Sequence, residues 1–293
     1  MLFWVCAGGF LGSVLIFVSF VMDKKTTKLV RDGLKGLHSS IVKSHSHNLP
    51  DFVIIGAAKS ATTTLVSVLR AHPDVFVIKP KEPKFFGKNY SKGWDWYASR
   101  FAKGGNRKVR GEASTMYSSH MRSYRSAPEL MHRYLPDLKL IYIVRHPLDR
   151  IVSHWRHLKG RDPGIADFDA LLQDRSLKRR VVGASMYYKQ LSRYRAFFSD
   201  EQIHCMTFED LLLSPKSSLQ AALKFLGVKP RLKLLMNGRN GLPLENKAGA
   251  KGRAYVDMPE WNGKLRQKLL LRIRPDSEKF LSYMGKSADY WNF

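Results

Sequence analysis

Acidic side chains are scarce in this chain: 24 Asp and Glu stand against 50 Lys and Arg, a formal charge of +26. Such an excess repels itself and attracts polyanions, so the expected partner is anionic: nucleic acid, anionic lipid, an anionic glycan or a phosphate-rich cofactor. Cysteine is scarcer still, with two among 293 residues. Cys6 lies in an apolar N-terminal run and Cys205 in the short apolar stretch from Gln202 to Phe208, so they do not pair within one folded domain. That excludes a disulfide framework and a cysteine-based zinc site. Cys205 reads as a small buried hydrophobe. No metal-ligand cluster, internal repeat or low-complexity tract stands out. The hydrophobic fraction of 44% excludes a disordered chain and fits one large packed domain.

Charge is also missing from Leu2 to Met22, a run of mostly Leu, Val, Phe, Ile, Gly and Ala. It is long enough to cross a bilayer as one helix, which takes roughly 20 residues. A cleavable signal peptide is the competing reading, but that usually has a basic start and a shorter apolar core. Residues 1–22 are therefore expected to be an uncleaved transmembrane anchor. Lys24, Lys25, Lys28, Arg31 and Lys35 follow the run. The positive-inside rule then places the remainder in the cytoplasm. Residues 23–50 read as a stem or linker, and residues 51–293 as the main folded domain.

Phe52-Val53-Ile54-Ile55 reads as a buried parallel strand. Gly56-Ala57-Ala58-Lys59-Ser60-Ala61-Thr62-Thr63-Thr64 follows, and helical spacing then runs to Arg70 and Ala71, where His72-Pro73 ends it. Strand, tight loop and helix start are a recipe for capturing an anion. Backbone amides and the helix dipole face the ligand, hydroxyls add donors, and Lys59 supplies a full charge. The loop lacks the glycine before Lys that the common nucleotide loop requires, which disfavours a kinase or GTPase. An ordinary capped helix is the bland alternative.

Leu138 to Val144 is a second buried-strand candidate, followed by Arg145-His146-Pro147-Leu148-Asp149-Arg150-Ile151-Val152-Ser153. Pro147 suits the first turn of a helix. Arg145 then sits at the carboxyl end of a strand, where open parallel sheets bind ligands. Ser153 lies roughly two helical turns on, so an Arg fork and a hydroxyl could receive a second phosphate. A capping Arg and a solvated Ser are the alternative.

Taken together and in this order, GAAKSATTTL and IVRHPLDRIVSHW resemble the two donor-gripping elements of the sulfotransferase superfamily. KEPKFFGKNYSKGWDWYASRF (Lys81 to Phe101), RGEASTMY (Arg110 to Tyr117) and AGAKGRAY (Ala248 to Tyr255) extend the likeness to the Golgi heparan sulfate N- and O-sulfotransferases. The chain departs from them in lacking a catalytic-domain disulfide and in its N-terminal charge asymmetry.

The resemblance implies a three-layer, P-loop-like α/β fold with a central parallel sheet flanked by helices. It implies sulfuryl transfer from 3'-phosphoadenosine 5'-phosphosulfate, with adenosine 3',5'-bisphosphate as product and no metal. Lys59, Ser60, Ala61, Thr62, Thr63 and Thr64 would hold the 5'-phosphosulfate. Arg145 and Ser153 would hold the 3'-phosphate, and Lys251, Gly252 and Arg253 would close over that end. Glu112 is the expected general base, with His146, His154 and His157 as rivals; a salt-bridged strand-end carboxylate is its plain alternative. Lys81 is expected near the acceptor. The expected acceptor is an anionic glycan of the heparan sulfate kind. A tyrosine, lipid or small-molecule acceptor stays open, as does the cytoplasmic placement against a Golgi lumenal one. Asn89-Tyr90-Ser91 is a glycosylation sequon, usable in a lumen. A basic nucleic-acid-binding protein is the reading from another class; the chain carries no stripe of basic and aromatic residues on a recognisable module, so nucleic acid is not expected as a partner.

Overall fold

The computed structural model describes residues 48–236, 242 and 254–293. The expected anchor (1–22), most of the expected linker (23–50), and Lys251, Gly252 and Arg253 lie outside the described residues. Among the described residues, no helix is long and apolar enough to cross a membrane.

Five short strands pair into one sheet in the order β2-β3-β1-β4-β5. They are β1 (Phe52–Gly56), β2 (Val75–Val77), β3 (Val109–Ala113), β4 (Lys139–Val144) and β5 (Ile203–Thr207). Every pairing is parallel. Parallel strands need crossovers that cover both faces, and the runs FVIIG and KLIYIV are apolar on both sides accordingly. Their residues alternate between two cores. Val53, Ile55, Leu140, Tyr142 and Val144 enter one, and Phe52, Ile54, Ile141 and Ile143 enter the other.

The second core is covered by α1 (Thr62–Ala71) through Leu65, Val66, Val68 and Leu69. The first is covered by α2 (Gly93–Ser99), α3 (Ala127–Tyr134) and, further along, by Tyr187, Leu191 and Tyr194. Helix α4 (Pro147–Lys159) follows β4 with Pro147 in its first turn, and packs Leu148, Ile151, Val152 and Trp155 into a third cluster. Helix α5 (Tyr187–Arg195) carries the residues just named in the first core. Helices α6 (Phe208–Leu213) and α7 (Pro215–Leu226) follow β5, and the long α8 (Gly263–Tyr283) spans the first and third clusters through Phe280 and Ile273. The helices lie on both faces of the sheet, giving the expected three layers. Leu49, placed in the linker from the sequence, is 6% exposed and belongs to the first core.

Strand order reverses around β1: β3 flanks it on one side and β4 on the other. That switch point opens a crevice at the carboxyl ends of the strands, where open α/β sheets take their ligands.

Candidate active site

The loop after β1 is pinned from its neighbours. Ala57 N–H donates to Ile143 O on β4 at 2.6 Å, and Ser118 N–H donates to Ile55 O at 3.0 Å. Gly56 has φ +154°, and a Cβ there would sit 1.8 Å from Ser118 Oγ, so only glycine fits this exit. Lys59 (φ 73°) and Ala61 (φ 61°) adopt the left-handed region, which costs non-glycine residues about 1–3 kcal/mol each. Such strain persists where surroundings enforce it, commonly at binding sites. Helix α1 begins with no side-chain cap on its first-turn amides. Ser60 Oγ is fully buried with no hydrogen-bond partner. Bare amides, an orphaned hydroxyl, Thr62, Thr63, Thr64 and the half-buried Lys59 form a donor cradle that matches a phosphosulfate.

Because β4 is hydrogen-bonded to β1, Arg145 leaves the same sheet edge one strand away. Its guanidinium lies 4.8 Å from the Phe208 ring centroid and 3.4 Å from Asp149 Oδ2, while its Nε is buried without a partner. Ser153 is half-buried on α4. A guanidinium N–H without a partner beside an aromatic face is chemistry suited to an anionic group. The structure brings the two sequence elements to the carboxyl ends of adjacent, hydrogen-bonded strands.

Arg150, which the sequence did not single out, joins these pockets. It is fully buried, donating from Nη1 to Ala58 O at 3.1 Å and from Nε to Ser185 Oγ at 2.6 Å. Nη2 donates to Val181 O. Nη1 also meets His154 Nδ1 at 3.0 Å. Burial holds His154 well below its usual range, with the Arg150 charge adding to the effect, so this ring stays neutral beneath the loop. His146 caps α4 and meets Asn292 O at 3.1 Å through Nε2. His157 is half-buried further along the same helix.

Glu112 is the penultimate residue of β3 and has no solvent exposure. Its Oε1 accepts from Tyr97 Oη at 3.0 Å and Tyr117 Oη at 2.9 Å, and its Oε2 accepts from Ser114 Oγ at 2.7 Å. Burial pushes its carboxyl up to about 7 despite these three bonds, which pull the other way. This carboxylate is saturated and sealed.

A second carboxylate, Glu82, lies beside it and at the surface. The segment after β2 runs along β3, with Ile78 N–H on Gly111 O at 3.1 Å and Glu82 N–H on Ala113 O at 2.9 Å. Glu82 Oε1 accepts from Thr115 Oγ1 at 2.8 Å, its Oε2 lies 3.5 Å from Lys84 Nζ, and its side chain is 24% exposed. The adjacent Lys81 Nζ donates to Thr63 Oγ1 at 2.9 Å and Thr62 Oγ1 at 3.3 Å, so this segment touches the α1 cradle directly. The sequence signal for Glu82 was its place next to Lys81 in a loop leaving the same sheet edge. Asn89 is half-buried, and its Nδ2 donates to Pro83 O at 2.6 Å.

Beyond Ser118 the chain borders a cavity of about 940 Å³. Arg122, Arg125, Lys178, Arg179, Lys189, Arg193 and Arg272 line it, and none of its described lining residues is acidic. No group of residues able to hold a metal occurs among the described residues.

A sequence profile described as "Sulfotransferase domain" matches residues 49–246. Mouse heparan sulfate glucosamine 3-O-sulfotransferase 5 is 30% identical, over 89% of this chain and 81% of its own length. Human heparan sulfate glucosamine 3-O-sulfotransferase 3B1 is 28% identical, over 87% of this chain and 68% of its own. Among solved structures, a sulfotransferase from Alicyclobacillus acidocaldarius superposes with a TM-score of 0.67 at 23% identity, covering 83% of this chain and 99% of that one, and shares the fold. With the profile spanning strands, cradle and cavity wall alike, the chain belongs to the sulfotransferase family and is a 3'-phosphoadenosine 5'-phosphosulfate-dependent sulfotransferase.

Proposed function

We propose that this enzyme sulfates a hydroxyl of an anionic glycan of the heparan sulfate type, with Glu82 as the general base. The basic cavity carries this reading. Seven cations around one hollow, without a lining carboxylate, suit a repeating sulfated or carboxylated chain better than a neutral small molecule. The relatives, heparan sulfate glucosamine 3-O-sulfotransferases, agree with it.

The bound donor supplies the sulfuryl group and leaves as adenosine 3',5'-bisphosphate. Lys59, Ser60, Ala61, Thr62, Thr63 and Thr64 would hold its 5' end by charge, hydroxyl and amide. Arg145 and Ser153 would hold the 3'-phosphate, with Lys251, Gly252 and Arg253 closing over it. Lys59 would offset the negative charge that grows on the leaving phosphate oxygen as the sulfuryl group moves to the acceptor. The acceptor proton passes to Glu82, whose side chain is partly exposed and adjoins the cradle through Lys81. Glu112, expected from the sequence as the base, has no exposed surface from which to reach an acceptor. The base is therefore assigned to Glu82.

We further propose that residues 1–22 anchor the enzyme in the Golgi membrane with the catalytic domain in the lumen. The uncharged run supports the anchor, and the Asn89 sequon offers a readout of the lumen. A glycosidase-sensitive mass shift that disappears in Asn89→Gln is the expected result. The acceptor is tested by radiolabelled sulfate transfer to a panel of heparan sulfate, desulfated heparan, tyrosine peptide and small phenols. Labelling of the sulfated glycan is expected, and labelling confined to the peptide or phenols overturns the glycan assignment.

A further inference from the structure

Glu112 touches no acceptor, yet the segment that carries Glu82 hangs from it. An ionised carboxylate only accepts hydrogen bonds, so Tyr97, Tyr117 and Ser114 must all point their protons at it. That orientation leaves their lone pairs for other donors. Ser114 Oγ accepts from Lys84 N–H at 3.0 Å, and Tyr117 Oη accepts from Phe86 N–H at 3.2 Å. Between these two positions, the Phe85 ring stacks on Tyr97 at 4.1 Å with 6° between planes. Three consecutive residues beyond Glu82 are thus tied, each through one intermediary, to one sealed carboxylate.

The segment needs such ties. Glu82 (φ 66°) and Lys84 (φ 53°) both sit in the left-handed region, where a non-glycine residue stays only if its surroundings hold it. We infer that Glu112 is a positioning residue that fixes the 82–86 segment, and with it the Glu82 carboxylate, through the Ser114 and Tyr117 hydroxyls and the Tyr97 ring. This rests on Glu82 as the base. The titratable groups facing Glu112 are Tyr97 from α2, Tyr117 from the turn after β3, Tyr194 from α5 and Glu82 itself. Three hydroxyl protons, from Tyr97, Tyr117 and Ser114, favour its ionised state.

In Glu112→Gln the amide must donate to one hydroxyl. If Ser114 is that hydroxyl, its oxygen receives two donors and its own proton loses its acceptor, loosening the hold on Lys84. The experiment measures kcat for Glu82→Gln, Glu112→Gln, their double variant and Ser114→Ala, with binding of adenosine 3',5'-bisphosphate for each. Displacing the base by a fraction of an ångström should lower kcat of Glu112→Gln about 10²-fold, with nucleotide affinity unchanged. Ser114→Ala should fall in the same direction. The double variant should be no slower than Glu82→Gln alone, because Glu112 acts only through Glu82. Wild-type kcat in Glu112→Gln, multiplicative losses in the double variant, or a parallel loss of nucleotide binding would each overturn the positioning role while leaving Glu82 as base. Wild-type kcat in Glu82→Gln would remove the base assignment and the positioning role with it.

Discussion

At the scale of single residues, the two neighbouring carboxylates differ in their exposure to solvent. Glu82 is partly wet and sits between Thr115 and Lys84, while Glu112 is dry and satisfied by hydroxyls. The buried one has a thermodynamic signature. Its folded value is raised from 4.5 to about 7, so the native state holds a proton that the unfolded chain releases. Stability from this group is full below pH 4.5 and is lost as pH climbs to about 7, a loss of about 3 kcal/mol at one pK unit per 1.36 kcal/mol. Glu112→Gln carries no such charge. Urea unfolding at pH 5 and pH 7.5 should show the variant gaining on wild type at the higher pH; parallel curves would mean that Glu112 titrates normally. From the sequence, Glu112 was the expected base because RGEASTMY resembles the family segment that carries a catalytic glutamate. Solvent access is set by Tyr97 and Tyr117, which arrive from other elements, and no local pattern carries that information.

Among the elements, β1, α1, β4 and the start of α4 were legible as a sequence, and for physical reasons. A strand buried on both faces is apolar without alternation, His72-Pro73 cannot continue a helix, and Pro147 has no N–H for a first turn to leave idle. The path of residues 78–86 was not legible. It is an irregular, bent run stitched to β3 by two backbone bonds, with left-handed lysine and glutamate that propensity would never choose. The exit of β1 is a comparable case in which tertiary contact dictates the residue. Gly56→Ala would drive a methyl into Ser118 and should cost about 1–3 kcal/mol by overpacking. Because the displaced loop is the donor cradle, nucleotide affinity measured by calorimetry should fall alongside the unfolding midpoint. Unchanged affinity would show that the cradle is seated independently of the strand exit.

For the whole molecule, the sequence conveyed the charge but not its distribution. Fifty basic residues are scattered along the chain, and folding gathers seven of them around one hollow. Contacts between exposed cations and a polyanion weaken steeply with salt, since the Debye length falls from about 10 Å at 0.1 M to about 3 Å at 1 M. Arg122→Glu combined with Arg125→Glu should raise KM for a heparan sulfate acceptor at least about tenfold and flatten its salt dependence, with donor KM unaltered. An unchanged acceptor KM would move the glycan to another face.

Arg150 belongs to a different regime. Its guanidinium is fastened to Ala58, Val181 and Ser185 in a space that mobile ions never enter. In concentrated brine the glycan should slip off while this internal rivet keeps the nucleotide's berth in shape, so that ionic strength alone can uncouple holding the donor from holding the chain it modifies.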